Sequence, residues 1–307
     1  MNKIPYLYDK AWLEHEIYYK EFNGYKFVED ISIENENVFF PLQIFKQAKN
    51  TNTVTFENFE MPYFFNRMDL ESNSLKKMLK KTNALALDKL KYSGIQRCTM
   101  HQFPYYTYNR PFPFFYQFGH KTIFRGRSVI DTSKSLKEIW SNIRSRYRSN
   151  IKNDIDAKYY FGCLPQFVLN KIKLRHLQLA GRVTKPDICW NILKKFVDQK
   201  KALVVEYEGN YVYFLVSKYY SYYGISISER NTQNITHNLM WAAIKYLKEI
   251  GCEFIDLGIY YTTQVEFKIS ESEINDFDKI KNISHFKNGF ANNTIMDFYS
   301  IVDLQKR

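Results

Sequence analysis

Glycine, proline and cysteine are all sparse in this 307-residue chain, and each shortage excludes a class of protein. The 11 glycines and 8 prolines are too few for a fibrous or loop-rich protein. The four cysteines are so widely separated that they form neither a CxxC pair nor a zinc-binding clip. We therefore expect no metal site and no disulfide framework, and we interpret the cysteines as buried thiols of a reducing compartment.

A long hydrophobic run is also missing. The N-terminal sequence MNKIPYLYDKAW contains no apolar stretch of the length that a signal peptide needs. No segment approaches the ~18 apolar residues that span a bilayer. The sequence therefore predicts a cytoplasmic protein, either free or at the inner face of the membrane, with at most peripheral membrane contact.

Basic residues, by contrast, are abundant. The chain has 44 Lys and Arg against 32 Asp and Glu, which gives a net charge of +12. Such a balance favours anionic partners, namely RNA, a nucleotide-linked substrate or the anionic membrane surface. AT-rich codons also encode an excess of lysine, so codon bias is an alternative explanation of the positive charge. We expect no DNA partner.

A single long helix is predicted in the middle of the chain, from Thr132 to Asp156. Apolar residues recur there at helical spacing, and Ser135 with Glu138 has the spacing of a capping box. We interpret this helix as a bridge between two lobes. The predicted organisation is a first lobe over residues 1–131, the helix over 132–156 and a second lobe over 157–307.

The second lobe has a regular order of predicted elements: a helix, three strands, a helix, a strand, a polar loop and a last strand. The first two of those strands form a hairpin around Glu208–Asn210, and the second helix ends at Gly251. The polar loop covers Thr262–Asn282. This order predicts an α+β fold with a mixed sheet and resembles that of N-acyltransferases, in which the sheet is splayed around the acyl donor. The first lobe is interpreted as a degenerate copy of the second.

Three segments occur in a fixed order in the second half of the chain. They are LAGRVT at residues 179–184, a helix–glycine–strand unit over 237–258 that ends in DLG, and FKNGF at 286–290. Together with the Arg-rich stretch IRSRYRSNIKND at 143–154, they resemble the FemAB-like branch of the GNAT superfamily of N-acyltransferases. The resemblance covers roughly residues 130–295 well and the earlier residues in outline.

This resemblance implies two GNAT-like lobes and an amide-forming transferase. The acceptor would be an amine of a cell-envelope precursor, which is a peptidoglycan or surface-glycan intermediate linked to a nucleotide or a lipid. It implies no permanently bound cofactor, because the activated donor, aminoacyl-tRNA or acyl-CoA, is a co-substrate. Two alternatives stay open: an acyl-CoA-dependent N-acyltransferase of a nucleotide-linked amino sugar or nonulosonic acid, and a non-catalytic RNA-binding protein on the same fold.

The stretch Glu229–Thr236 argues against a CoA donor. Acetyl-CoA enzymes of the GNAT superfamily carry a glycine-rich turn before the central helix, where backbone amides cradle a pyrophosphate. The corresponding stretch of this chain contains no glycine. Because side chains hinder close approach of the backbone to a phosphate, the sequence favours aminoacyl-tRNA or a nonstandard donor.

Four residues are the candidates for catalysis. The resemblance places Lys287, in FKNGF, next to the donor carbonyl, where an ammonium would stabilise the oxyanion that forms during acyl transfer. His285 and His237 are candidate general bases, because imidazole titrates near neutrality. Asp256 ends a predicted buried strand at the cleft and is a candidate to accept a proton from the acceptor amine or to orient it.

The candidates for substrate binding are mostly basic. Arg144, Arg148 and Lys152 recur every four residues and would form one stripe on the predicted helix. Arg182 lies in the LAGRVT segment, and its guanidinium would suit a phosphate, as would those of the stripe. Tyr223, on a predicted strand of the second lobe, completes the set.

Overall fold

The computed structural model describes most of the chain. The residues described are 9–34, 38–40, 43–47, 65–66, 72–93, 97–102, 121–152, 155–217, 220–228, 233–260 and 277–303. Within these ranges, no helix combines the length and the apolar character that a membrane span requires.

The chain divides into two compact units. One contains residues 1–15 and 126–295, and the other contains residues 16–125 and 296–307. This differs from the predicted division, because residues 132–156 lie wholly within the first of these units and the C-terminal residues belong to the second. The C-terminal residues belong to the second unit because Phe298–Asp303 of the last strand pair antiparallel with Arg97–Gln102.

The unit of residues 126–295 is built on a mixed sheet whose neighbouring strands are β7-β12-β11-β10-β9-β8. Strands β11 and β12 run parallel, and the other described pairs are antiparallel. The bounds are β7 Lys121–Asp131, β8 Lys158–Tyr160, β9 Ala202–Tyr207, β10 Asn210–Val216, β11 Tyr220–Ile227 and β12 Phe254–Tyr260. The helices are α3 Leu136–Asn142, α4 Ser145–Arg148, α5 Gln166–Ala180, α6 Asp187–Asp198, α7 Gln233–Glu249 and α8 Phe277–Asn288.

The other unit is smaller in its described part. Strand β1 pairs antiparallel with β4, and β3 pairs with both β2 and β5. Helix α1 begins in one unit and ends in the other. The bounds are α1 Lys10–Phe22, β1 Tyr25–Asp30, β2 Ile33–Glu34, β3 Val38–Phe40, β4 Gln43–Gln47, β5 Phe65–Asn66, α2 Ser72–Tyr92, β6 Arg97–Gln102 and β13 Asn293–Asp303.

The predicted hairpin is confirmed, and it lies in the core. Strand β10 is buried along its whole length, and β9 is buried over its first four residues. The two strands are joined by Glu208 and Gly209, with φ angles of 50° and 68°. Two consecutive positive φ values define the type I′ turn, which matches the twist of a two-residue hairpin.

The prediction of one continuous helix from Thr132 to Asp156 is wrong. Helix α3 ends at Asn142, Ile143 and Arg144 are extended, and α4 is a single turn. The helix stops because the Arg144 N–H donates to the Gly289 carbonyl at 2.9 Å instead of to the carbonyl four residues earlier. The predicted capping box of Ser135 and Glu138 is present at the start of α3.

The predicted polar loop over Thr262–Asn282 is corrected in part. Residues 261–276 lie outside the described residues, but the chain is helical from Phe277 to Asn288. Lys287 therefore lies in the last turn of a helix rather than after a loop. Helix α5 and strand β8 are further elements that the sequence analysis did not predict.

Candidate functional site

The parallel strands β11 and β12 separate part-way along their length. They pair at three positions, from Tyr220 with Phe254 to Tyr222 with Asp256, and in their described residues the pairing ends there. Strand β11 stays paired with β10 as far as Ile227. On its other side, β12 shifts its register with β7 between Asp256 and Gly258. The sheet is therefore splayed beyond Asp256, as the resemblance to N-acyltransferases implies.

Asp256 fixes the backbone at this point. Its carboxylate is fully buried and accepts hydrogen bonds from Arg127 Nε at 2.9 Å and Arg127 Nη2 at 2.6 Å. The Tyr220 hydroxyl donates to the same oxygen. The other oxygen accepts from the Gly258 N–H at 2.6 Å.

This network holds the turn of the chain at Gly258. The φ angle there is +96°, a conformation that L side chains rarely adopt. Arg127 and Tyr220 were missed by the sequence analysis, because nothing in the sequence connects them to Asp256. The geometry gives the Asp256 carboxylate a positioning role, since both of its oxygens are already engaged by donors.

Lys287 reaches the opening between the two strands. A Cβ atom built on Gly258 would lie 3.1 Å from Lys287 Nζ, so the ammonium is next to the β12 turn. The same Nζ lies 5.3 Å from the centroid of the Tyr223 ring on β11. The two strands that separate thus contribute one neighbour each to the ammonium.

Tyr223 is buried, and burial raises the pKa of its hydroxyl to about 12, although a hydrogen bond with Ser226 acts in the opposite direction. The phenol is therefore neutral at physiological pH and keeps its proton. A neutral hydroxyl can donate a hydrogen bond and, with its ring face, attract a cation.

The two phenylalanines that flank Lys287 belong to a cluster of rings. Phe286 and Phe290 lie 5.8 and 5.3 Å from the ring of Tyr147, measured between centroids. His237, which is buried, packs edge-on against Tyr147 at 4.4 Å and against Phe286 at 5.4 Å. The cluster fixes the end of α8 that carries Lys287. The candidate role of His237 as a general base stays a prediction.

Gly289 is required by the same cluster. A Cβ atom at this position would lie 2.0 Å from Cε2 of Tyr147, a distance that real Cβ atoms do not show. The glycine of the FKNGF segment thus lets the Tyr147 ring lie directly against the backbone. Its carbonyl oxygen accepts the Arg144 N–H that ends α3.

We expect Gly289→Ala to destabilise the protein by about 1–3 kcal/mol, because the added methyl must displace either the Tyr147 ring or the backbone of α8. Urea denaturation monitored by circular dichroism would measure the change in the free energy of unfolding. Gly224→Ala is the matched control, since its Cβ would meet its nearest atom at an ordinary 3.6 Å. Equal effects of the two substitutions would contradict the clash.

Arg144 joins the ring cluster to His285. Its Nη1 lies 2.5 Å from Nε2 of His285, and its guanidinium carbon lies 5.2 Å from the centroid of Tyr147. Because arginine has donors only, His285 Nε2 accepts this hydrogen bond. His285 is exposed and lies two residues before Lys287. Its role as a general base is not tested by this geometry.

The predicted basic stripe does not exist, because α4 ends at Arg148. Arg148 Nη1 donates instead to the carbonyl oxygens of Ser141 at 2.5 Å and Ile143 at 3.0 Å, which caps the end of α3. Lys152 is exposed beyond the helix. Arg182 is also exposed, in the turn that follows the left-handed C-cap residue Gly181 of α5. The roles of these three residues in substrate binding remain predictions.

No protein-family model and no curated protein matches the sequence. The solved structures do contain similar folds. The structure of FemX superposes with a TM-score of 0.60 at 12% identity, covering 98% of this chain and 93% of FemX. The chain shares the fold of FemX. The predicted α+β fold class and the FemAB-like resemblance are confirmed at this level.

Two further structures have the same fold. L-PGS from Bacillus licheniformis superposes with a TM-score of 0.56 at 12% identity, covering 98% of this chain and 93% of L-PGS. The C-terminal domain of a protein described as a lysylphosphatidylglycerol synthetase, from Agrobacterium fabrum, gives 0.53 at 11% identity, with 89% and 84% covered. At such identities the comparison establishes the fold alone.

The site provides the Lys287 ammonium beside the opening between strands β11 and β12. Among the described residues, no group of three or more His, Cys, Asp or Glu could hold a metal ion. The opening between β11 and β12 offers the Lys287 ammonium, the neutral Tyr223 phenol and the edges of two strands whose pairing has ended. Such a site suits a reaction in which negative charge develops on an oxygen.

Proposed function

We propose that the chain transfers an acyl or aminoacyl group to an amine of a cell-envelope precursor, a peptidoglycan or surface-glycan intermediate. The observation that carries this proposal is the position of the Lys287 ammonium at the point where β11 and β12 separate. The backbone groups freed by the separation, together with this ammonium, supply donors for a carbonyl that enters the gap.

The reaction forms one bond and breaks one. The acceptor nitrogen attacks the carbonyl carbon of the donor, which becomes tetrahedral, and its oxygen becomes an oxyanion that Lys287 stabilises. Collapse of the intermediate breaks the carbon–oxygen bond of an aminoacyl ester, or the carbon–sulfur bond of a thioester. The amine loses a proton, and the leaving hydroxyl or thiol gains one.

Tyr223 is suited to the second half of this reaction. Because its pKa is raised to about 12, its hydroxyl keeps a proton at neutral pH and can donate a hydrogen bond to the leaving group. Lys287 Nζ lies 5.3 Å from the centroid of the same ring, whose face attracts the ammonium. We assign Asp256 to holding the Gly258 turn rather than to proton transfer, since its oxygens are engaged.

The substrate class is supported by the names of similar proteins and by charge. A lysylphosphatidylglycerol synthetase is, by its name, a protein that joins lysine to a membrane lipid. The net charge of +12 on this chain favours acceptors and donors that carry phosphates, which aminoacyl-tRNA and nucleotide- or lipid-linked precursors do. Arg144, Arg182 and Lys152 are the proposed contacts for these phosphates.

The proposal is tested by the stability of the product bond. Purified protein is incubated with a tRNA pool charged with radiolabelled amino acids and with an extract of envelope precursors. Mild alkali hydrolyses the aminoacyl ester but leaves an amide intact. Alkali-stable label on a precursor supports the proposal. Label that stays on tRNA, while tRNA co-purifies with the chain, would favour a non-catalytic RNA-binding protein.

A CoA donor is tested separately. Because Glu229–Thr236 contains no glycine, we expect acetyl-CoA to bind no more tightly than a Kd of roughly 100 μM, or about −5.5 kcal/mol. Residues 229–232 lie outside the described residues, so this expectation rests on the sequence. Isothermal titration calorimetry measures it, and a low-micromolar Kd would favour the acyl-CoA-dependent N-acyltransferase instead.

A further inference from the structure

Within the part of the chain that the structure describes, large apolar side chains are exposed in one short segment far more densely than elsewhere. Thirteen such residues are exposed among those described, and six of them lie between residues 167 and 188. Phe167 is 63% exposed and Leu174 is 57% exposed. Single exposed apolar residues are ordinary, but a concentration of them marks a surface that something covers. The six residues, which we term the apolar surface, are Phe167, Leu174, Leu177, Leu179, Val183 and Ile188.

Helix α5 carries apolar residues on opposite sides. Val168, Leu169 and Ile172 are buried against the unit. Phe167 and Leu174 are seven residues apart, so they project from the same, outer side of the helix. Large apolar residues on the outer side of a helix indicate a second apolar environment, because solvated helices carry mainly polar residues there.

The surroundings of the apolar surface are strongly basic. No aspartate or glutamate occurs between residues 157 and 186. Asp187, the first acidic residue after that segment, forms an ion pair with Lys173 at 2.6 Å. Lys171 Nζ lies 5.6 Å from the centroid of the exposed Phe167 ring. The basic residues near the apolar surface with exposed or partly exposed side chains include Lys171, Lys173, Arg182 and Lys185.

An open pocket of about 360 Å³ lies in this surface, where α5 approaches the start of α6. Leu174, Leu177 and Val183 line it on the apolar side. Lys173, Arg182 and Lys185 also line it, together with Asp187, so the pocket brings cations and exposed apolar groups together. This mixture matches a phosphate group that is attached to hydrocarbon, which is the chemistry of a phospholipid at the membrane interface.

We infer that the apolar surface docks the protein on an anionic lipid bilayer, with α5 lying in the interface. Phe167 and Leu174 would enter the acyl region, and the surrounding cations would contact lipid phosphates. A second copy of the chain is a poorer occupant, because the same cations would face each other. RNA is also poorer, because it stacks on aromatic rings and offers nothing to exposed leucines and a valine. The inference does not depend on the proposed function.

The test is co-sedimentation of the purified full chain with lipid vesicles. We expect binding to vesicles rich in phosphatidylserine and equal binding to phosphatidylglycerol vesicles of the same charge, with little binding to phosphatidylcholine. Phe167→Ser/Leu174→Ser should lower the partition coefficient about tenfold or more, because two exposed apolar side chains that insert into the bilayer are removed. Lys171→Gln should lower it about fivefold.

The matched control is Leu85→Ser/Tyr92→Ser, which removes two exposed apolar residues from α2. We expect it to bind vesicles as the wild type does. Failure to bind any anionic vesicle at low salt would overturn the inference. Binding to phosphatidylglycerol alone would also overturn it, because such binding would mean a headgroup-specific site. Unchanged vesicle binding of Phe167→Ser/Leu174→Ser would overturn it too, as would a concentration-dependent dimer that this variant dissociates.

Discussion

Lys287→Met is expected to lower kcat by about 10²–10³ while the protein stays folded. Methionine keeps an unbranched apolar side chain, and it deletes the charge at the opening between β11 and β12. The loss corresponds to one donor removed from a forming oxyanion, about 2.7–4 kcal/mol of barrier. The alkali-stable transfer assay measures kcat, and a thermal melt checks the fold.

Lys281→Met is the control for this substitution, because Lys281 is an exposed lysine of the same helix. We expect it to retain wild-type turnover. If Lys287→Met also kept wild-type turnover at an unchanged thermal midpoint, the ammonium would have no part in the reaction. A loss confined to KM, with kcat intact, would assign Lys287 to uniform substrate binding instead.

The sequence singles out Lys287 as a catalytic candidate because its neighbours are distinctive, and its catalytic role stays a prediction. The FKNGF segment puts two phenylalanines and a glycine around one lysine, and each has a physical reason in the structure. Phe286 and Phe290 are ring-cluster residues, and Gly289 gives space to the Tyr147 ring. The hairpin at Glu208 and the capping box at Ser135 were also predictable, since turn and cap chemistry is local in the chain.

The elements that could not be predicted depend on contacts between distant residues. The apolar spacing over 132–156 is real, but a tertiary hydrogen bond from Arg144 to Gly289 ends the helix that the spacing predicts. The basic stripe failed for the same reason, and Arg148 caps the helix end that results. Arg127 is 129 residues from Asp256, so no local pattern could pair them.

Arg127 and Asp256 provide the largest expected effect on stability. Their side chains are 2% and 0% exposed and are joined at 2.6 Å. Removing one partner leaves an uncompensated charge in the core, so we expect Asp256→Asn and Arg127→Met each to destabilise the protein by about 3–5 kcal/mol. Urea denaturation measures both. Lys194→Met is the control, because the exposed pair of Lys194 with Asp198 should contribute no more than about 0.5 kcal/mol.

The double variant Arg127→Met/Asp256→Asn distinguishes the contribution of the ion pair to the free energy of unfolding from the contributions of the two single side chains. Each single variant leaves one buried charge behind, whereas the double variant leaves none, so it should cost less than the sum of the two. Additive costs would mean that the two side chains act independently.

Turnover of Asp256→Asn distinguishes the two roles considered for this residue. Positioning of Gly258 requires that stability and turnover fall together. An Asp256→Asn protein with wild-type stability and abolished turnover would instead identify the carboxylate as the proton acceptor.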